Sequence, residues 1–200
     1  MFKRDLDLEI SPGMPIDIAT IKSILIKRLN LNNDINVNND RHKFNTHSKT
    51  KSHLIYDFPL EWDGISFLDA KLFSDDLELV TAVEPIVQYI EKYYDGRRGR
   101  VLLVNLPSGA TIPEHRDSGV YLQAVRRNHI PIITNDLVLF RVGNCEINMK
   151  ENYFYEINNH KTHYVANNSE HDRYHLIIDI LPNNNIGYDI EAEDGLSKDI

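Results

Sequence analysis

The tripeptide His115-Arg116-Asp117 carries two side chains that can bind one metal ion together. On an extended segment, residues i and i+2 point to the same side, so the imidazole of His115 and the carboxylate of Asp117 can face a common ion. In a chain with nine histidines, about one such pair is expected by chance, and two ligands do not make a site. The segments that follow offer as third ligand His129, His160, His163, His171 or His175.

Two features further along the chain strengthen the hypothesis of a metal site. His163 stands in NHKTHYVAN, which is typical of a turn that enters a strand, and Arg173 opens RYHLIIDIL, a strand that is apolar at alternate positions. An unpaired charge inside a protein is costly, so a guanidinium at the mouth of a buried strand needs an anion, and its planar fork matches a carboxylate. Two histidines, one carboxylate and an anion-binding arginine are typical of non-haem Fe(II) oxygenases, whose facial ligand set leaves iron positions open.

The stretch from Arg100 to Pro182 resembles the aspartyl/asparaginyl β-hydroxylase family of 2-oxoglutarate oxygenases. The resemblance lies in RVLLVNLPSGATIPEHRD, RRNHIPIITN and ENYFYEINNHKTHYVANNSEHDRYHLIIDI, about two-fifths of the chain. The order H-x-D, N-H-I-P, H-x-V-x-N and then an arginine ten residues after the last histidine is together specific.

The resemblance implies a mainly β fold, a double-stranded β-helix (a jelly-roll, cupin-like core), preceded by N-terminal helices. It implies that Fe(II) is bound by His115, Asp117 and His163, and that Arg173 holds the distal 5-carboxylate of 2-oxoglutarate. The ten-residue spacing to Arg173 and the strand context favour His163 over His160, which is expected in a turn or beside the pocket.

The same resemblance implies that Arg127 and His129 lie near the other end of the co-substrate. The activity it implies is hydroxylation of an amino-acid or peptidyl substrate (Asp, Asn or Pro-like) with O2, releasing succinate and CO2, with ascorbate as an optional cofactor. Asp117 is a departure from the vertebrate membrane-anchored member, which lacks the carboxylate ligand, and makes the chain more similar to bacterial members. No hydroxyl partner for Arg173 is evident, but His175 shares its strand parity and could line the pocket.

Helices are expected first and strands later. Residues 15–30 and 75–94 have apolar stripes of helical period, the first beginning at a proline, and Pro85 predicts a kink or the start of a further helix in the second. HLIYDF (53–58) and seven short runs after residue 100 predict strands of a sandwich or barrel. We expect one domain of 200 residues, made of a helical or mixed part (1–98), the jelly-roll catalytic core (99–182) and a polar, acidic tail (183–200).

Composition limits the class of partner. The net charge of −8 argues against a general nucleic-acid binder and against attachment to anionic membranes. The single cysteine, Cys145, permits no internal disulfide, and the charged start MFKRDLDLEI lacks the apolar core of a secretory signal. We therefore expect a cytoplasmic protein with a small-molecule or peptide substrate, and the sequence leaves its oligomeric state open.

Two other functions stay open. A cupin-like isomerase or metal-binding protein would use the same ligands without needing Arg173, and a non-catalytic jelly-roll module would keep the fold only for binding a partner. The basic stretch 41–53, RHKFNTHSKTKSH, could hold an acidic substrate, although a solvated loop leading into an edge strand is the preferred interpretation.

Overall fold

The computed structural model describes residues 8–35, 37–39, 41 and 44–183. The strands in these ranges are β1 (Met14–Pro15), β2 (Lys51–Asp57), β3 (Lys71–Leu72), β4 (Gly96–Leu106), β5 (Thr111–His115), β6 (Arg126–Ile133), β7 (Val138–Val142), β8 (Cys145–Ile147), β9 (Tyr153–Ile157), β10 (His163–Asn167) and β11 (Arg173–Pro182). The helices are α1 (Ala19–Asn30), α2 (Leu77–Tyr94) and α3 (Val120–Ala124), with a 3-10 turn at Asn45–His47.

The strands form two antiparallel sheets. The larger has the order β1-β9-β6-β11-β4-β2-β3, and the smaller has the order β5-β10-β7-β8. Apolar residues from both sheets share one buried cluster, which includes Leu106 of β4, Ile157 of β9, Phe140 of β7 and Val165 of β10. The two sheets therefore pack on each other, and the architecture is the mainly β jelly roll that the sequence predicts.

Helices α1 and α2 cover the other face of the larger sheet. A buried apolar cluster contains Ile21 and Leu25 of α1, Val83 and Val87 of α2, and strand residues such as Leu176. Because successive side chains of a strand point to opposite faces, β11 divides its residues between this cluster and the interior between the sheets. The two charged residues of β11, Arg173 and Asp179, stand at inner positions.

Ion pairs tie the helical layer to its surroundings. Arg28 of α1 donates to Asp76, whose carboxylate also accepts from the backbone N–H of Leu79 and so caps α2. Arg98 of β4 pairs with Glu84 of α2 at 2.7 Å, and it holds the pKa of that carboxyl below its usual value. These pairs are partly exposed, in contrast to the ionic groups between the sheets.

Two local expectations are corrected, and the predicted strand HLIYDF is confirmed as part of β2. Helix α1 begins at Ala19 rather than at residue 15, because Met14 and Pro15 pair with β9 at the edge of the larger sheet, a position that tolerates proline. Helix α2 runs unbroken through Pro85, so no second helix begins there. Strand β2 pairs with β4, so the first half of the chain contributes to the same sheet as the second.

The predicted tail lies, apart from Asn183, outside the described residues. None of the helices in the described ranges is long and apolar enough to cross a membrane.

Candidate metal centre and anion pocket

Strand pairing brings the two predicted histidine ligands together. His115 at the end of β5 is the register partner of His163 at the start of β10, and their ring centroids lie 4.1 Å apart. Asp117 follows two residues after β5, where its backbone N–H donates to the carbonyl of Asn159 at 3.2 Å. One ligand atom from each of His115, Asp117 and His163 lies within 4.8 Å of the other two. The three residues singled out in the sequence thus converge on one point.

Backbone carbonyls set the orientation of both imidazoles. Nδ1 of His115 lies 2.8 Å from the carbonyl oxygen of Pro113, and Nδ1 of His163 lies 3.0 Å from that of Lys161. A carbonyl oxygen only accepts, so each Nδ1 carries the proton and each Nε2 presents a lone pair. Nε2 of His163 lies 4.0 Å from Oδ1 of Asp117. Two neutral imidazole nitrogens and one carboxylate oxygen are the donor set that suits a divalent transition metal.

The protonation states also favour metal binding. Burial lowers the pKa of His163 to about 4 and lowers the pKa of His115. Burial is the largest single influence on Asp117 and would raise its pKa, but the positive charges around it, that of Arg127 foremost, together outweigh burial and keep this pKa below its usual value. At neutral pH the histidines are therefore uncharged and the aspartate is ionised, as ligands must be.

Arg127 holds the aspartate ligand. Its Nη1 donates to Oδ2 of Asp117, while Nε and Nη2 donate to the two oxygens of Asp179, each at 2.8 Å. Asp179 is fully buried and also accepts from the hydroxyl of Tyr121 at 3.1 Å. Because Arg127 occupies Oδ2, the oxygen that faces His163 stays available for a metal. This contact was not foreseen from the sequence, and the contact of Arg127 with a co-substrate remains a prediction.

Arg173 lies in the pocket without a carboxylate partner among the described residues. Its side chain is 1% exposed, its Nη2 donates to Nδ1 of His175 at 2.5 Å, and its Nε has no hydrogen-bond partner. Since Nδ1 of His175 accepts, Nε2 carries the proton, and that donor is also buried without a partner, as is Nδ1 of His129. Burial lowers the pKa of Arg173 to about 9, which leaves it charged at neutral pH. Unmatched buried donors around a guanidinium fit an anion.

One narrow cavity joins the metal ligands to this arginine. Its lining residues are Arg41, His47, Val104, Ile112, His115, Arg127, His129, Phe140, His163, Val165, Arg173 and Ile177. The predicted residues His129 and Arg173 therefore share a pocket with the ligand histidines. His160 lies apart, with Nε2 donating to the carbonyl of Gln123 at 3.0 Å, as expected of a turn residue.

Arg41 and His47 are pocket residues that the sequence interpretation had left in a solvated loop. The 3-10 turn at Asn45–His47 lies against β5, and the ring of His47 meets that of His115 edge-on, with centroids 5.3 Å apart. The signal that could have found them is the basic stretch 41–53 itself, which was considered as an anion site and set aside.

The fold and the site together define a jelly-roll protein with a 2-His-1-carboxylate centre and an anion pocket. The family model described as Aspartyl/Asparaginyl beta-hydroxylase matches residues 29–182. The chain belongs to this family, and hydroxylation is therefore its activity, as the resemblance implied. Among curated proteins, none matches the chain in sequence.

Solved structures with the same fold include several oxygenases. An oxidoreductase of the 2OG-Fe(II) oxygenase family from Burkholderia pseudomallei is 11% identical, with a TM-score of 0.56 over 82% of this chain and 77% of that one. A Pseudomonas putida prolyl-4-hydroxylase is 8% identical, with a TM-score of 0.55 over 88% and 94%. The viral collagen prolyl hydroxylase from Paramecium bursaria Chlorella virus-1, in complex with 2OG, is 7% identical, with a TM-score of 0.54 over 88% and 97%. At these identities the likeness concerns the fold alone, and it agrees with the predicted double-stranded β-helix.

Proposed function

We propose that this chain is a hydroxylase that uses Fe(II) and 2-oxoglutarate, with His115, Asp117 and His163 as the iron ligands. Arg173 binds the distal carboxylate of 2-oxoglutarate. The observation that carries this proposal is that His115 and His163, which converge with Asp117, line one cavity together with Arg173, whose buried guanidinium has no carboxylate partner among the described residues. When bound, Fe(II), 2-oxoglutarate and O2 supply the oxidising chemistry, with succinate and CO2 as co-products.

The residues of the chain hold and orient the metal and the co-substrate. His115 and His163 present Nε2 lone pairs that their backbone hydrogen bonds fix in direction. Asp117 presents one oxygen while Arg127 retains the other, and a carboxylate at this position favours hydroxylation over halogenation. Apolar side chains such as Phe140 restrict water, which strengthens the attraction between Arg173 and a carboxylate.

The substrate we propose is an amino acid or a peptide. Two proteins that share the fold are described as prolyl hydroxylases, one from Pseudomonas putida and one from a Chlorella virus, and substrates of that kind are chemically compatible with this pocket. The cytoplasmic location, the use of O2 and an accessory role of ascorbate belong to the same proposal.

The presence of Arg173 distinguishes the proposed oxygenase from a cupin-like metal-binding protein. Such a protein needs the ligands but has no use for a buried, unpaired guanidinium, which destabilises the fold unless an anion binds it. A non-catalytic module needs neither the ligands nor Arg173.

Release of succinate tests the proposal. The purified chain, supplied with Fe(II), 2-oxoglutarate and ascorbate in air, should form succinate faster when the right amino acid or short peptide is added. The His163→Ala variant should form none, because one of the three ligands is lost. Equal succinate formation by the wild type and His163→Ala would contradict the assignment of the metal site.

A further inference from the structure

Two more buried donors without partners lie in the same cavity, on Arg41 and His47. The backbone of Arg41 is fixed by a hydrogen bond from its N–H to Oδ1 of Asn39, at 3.1 Å, and by one from the N–H of Phe44 to its carbonyl. Asn39 in turn donates to the carbonyl of Ser52 in β2, at 2.8 Å. The segment is thus attached to the larger sheet, and it directs the Arg41 side chain into the pocket.

The hydrogen bond between the two side chains defines which atoms are free. Nη2 of Arg41 lies 3.3 Å from Nε2 of His47, and a guanidinium only donates, so Nε2 accepts and Nδ1 carries the ring proton. Nδ1 of His47 and Nη1 of Arg41 are both buried and lack hydrogen-bond partners. Two buried donors, on hydrogen-bonded neighbouring side chains, therefore lack an acceptor.

The charges of the pocket show what kind of acceptor fits. Of the three arginines that line it, Arg127 is balanced by Asp117 and Asp179, whereas Arg41 and Arg173 have no carboxylate partner in the described part of the chain. A bound divalent ion adds two positive charges to those of the three arginines, and the two aspartates offset two of the five. Three positive charges are left. The dianion 2-oxoglutarate offsets two of them. One positive charge remains, and His47, which carries one of the two free donors, packs against His115.

We propose that Arg41 and His47 bind a carboxylate of the primary substrate. The proposal rests on the function proposed above and narrows it: the substrate is an amino acid or peptide with a carboxylate close to the hydroxylated carbon. Arg41 supplies charge and Nη1–H, and His47 supplies Nδ1–H, a pairing of donors that suits the two oxygens of one carboxylate. The carboxylate is either the α-carboxylate of a free amino acid or an acidic side chain.

Acetate can probe the proposed carboxylate site before the substrate is known. With Mn(II) in place of iron and 2-oxoglutarate at saturation, acetate bound at Arg41 lies near a paramagnetic ion, so its methyl protons should relax faster. We expect the effect in the wild type to fall at least about tenfold in Arg41→Gln and to recover in part in Arg41→Lys. Lys49→Gln removes one charge from an exposed position in the same segment and should behave as the wild type.

Acetate relaxation that is equal in the wild type and Arg41→Gln would overturn the proposal, because acetate would then bind the metal or another group. Binding of 2-oxoglutarate without any acetate effect would overturn it while leaving the proposed function intact. Failure of the wild type to bind 2-oxoglutarate would overturn both. Thermal unfolding of each variant, with the affinity for 2-oxoglutarate, separates a lost subsite from a misfolded chain.

Matched substrate pairs identify the source of the carboxylate. Two changes are made to any amino acid or short peptide that stimulates succinate release: the α-carboxylate is converted to the amide, or Asp is replaced by Asn. One of these two changes should abolish the stimulation. Arg41→Gln should raise the KM for the active substrate at least about tenfold, with the KM for 2-oxoglutarate unchanged. Full activity of both uncharged analogues would contradict a carboxylate site.

Discussion

The two faces of the larger sheet differ in the polarity of the side chains that strand β11 places on them. On one face of β11, Tyr174, Leu176 and Ile178 join the apolar cluster beneath α1 and α2. On the other face, Arg173 and Asp179 are at most 1% exposed and are charged. Burial of apolar groups stabilises the fold, whereas burial of charges does so weakly or not at all. Apolar packing therefore accounts for the residues on the outer face of β11, whereas the charged residues on its inner face are explained by the site to which they belong.

The inner face itself contains two kinds of arginine. Arg127 is matched by two carboxylates and holds Asp117, the metal ligand we propose, in place. Arg173 has a histidine as its neighbour and, within the part of the chain that the structure describes, no carboxylate. A paired guanidinium acts as a structural support, and an unpaired one marks the place of an anionic ligand.

The largest effect is expected from Arg173→Met. The affinity for 2-oxoglutarate, measured calorimetrically on metal-loaded protein, should fall about 100- to 1000-fold, since a charge-assisted bidentate contact is lost. The thermal midpoint of the ligand-free variant should stay equal or rise, because an unpaired buried charge is replaced by an apolar chain. Lys150→Met, at an exposed lysine, is the matched loss of charge and should change neither quantity. A variant that unfolds at much lower temperature would show that Arg173 stabilises the fold instead.

A substitution on the outer face should lower stability and leave ligand affinity unchanged, the opposite of Arg173→Met. Leu176→Ala removes a fully buried side chain beneath the helices and should lower the free energy of unfolding by about 2–5 kcal/mol. Metal and 2-oxoglutarate affinities, measured well below the unfolding temperature, should not change. Chemical denaturation combined with a metal titration checks both, and a large loss of metal affinity would mean that the two faces are not independent.

Asp179→Asn tests the support of the metal ligand. Removal of this charge releases Arg127 from its second partner, so Asp117 should be less well oriented and metal affinity should fall about 10- to 100-fold. Competition with a chelator measures the change. Asp136→Asn, at an exposed aspartate, serves as the control, and a variant with unaltered metal affinity would remove Asp179 from the account of the site.

The smallest effect concerns the exposed ion pairs of the helical layer. Arg98 holds the pKa of Glu84 below its usual value of about 4.5, so the pair stabilises the fold above about pH 4.5. This contribution is lost as the pH falls through the lower pKa of the folded state. The contribution of a partly exposed pair is on the order of 1 kcal/mol or less. Urea unfolding at pH 6 and pH 3 should show a smaller drop in stability for Glu84→Gln than for the wild type. An identical drop would show that this pair does not contribute.

The sequence was informative where short-range pattern determines structure. The alternation in RYHLIIDIL located β11, because strand geometry fixes which side chains share a face. The H-x-D spacing with the later histidine located three side chains that converge on one point. The contact between Arg127 and Asp179 was not predictable, since it joins residues 52 positions apart whose pairing depends on the register of β6 and β11. Arg41 was missed because a basic, Asn-rich segment without periodicity gives no indication of where its side chains point.

Anaerobic spectroscopy tests the link between the metal ligands and Arg173 in one titration. Fe(II) is added to the protein without oxygen, followed by 2-oxoglutarate, and the visible spectrum is recorded at each step. We predict a weak charge-transfer absorption that appears only after 2-oxoglutarate is added, needs far more 2-oxoglutarate in Arg173→Met and is absent in His163→Ala. A wild-type protein that binds Fe(II) yet forms no such absorption would contradict the assignment and would favour a metal-binding jelly roll of another class.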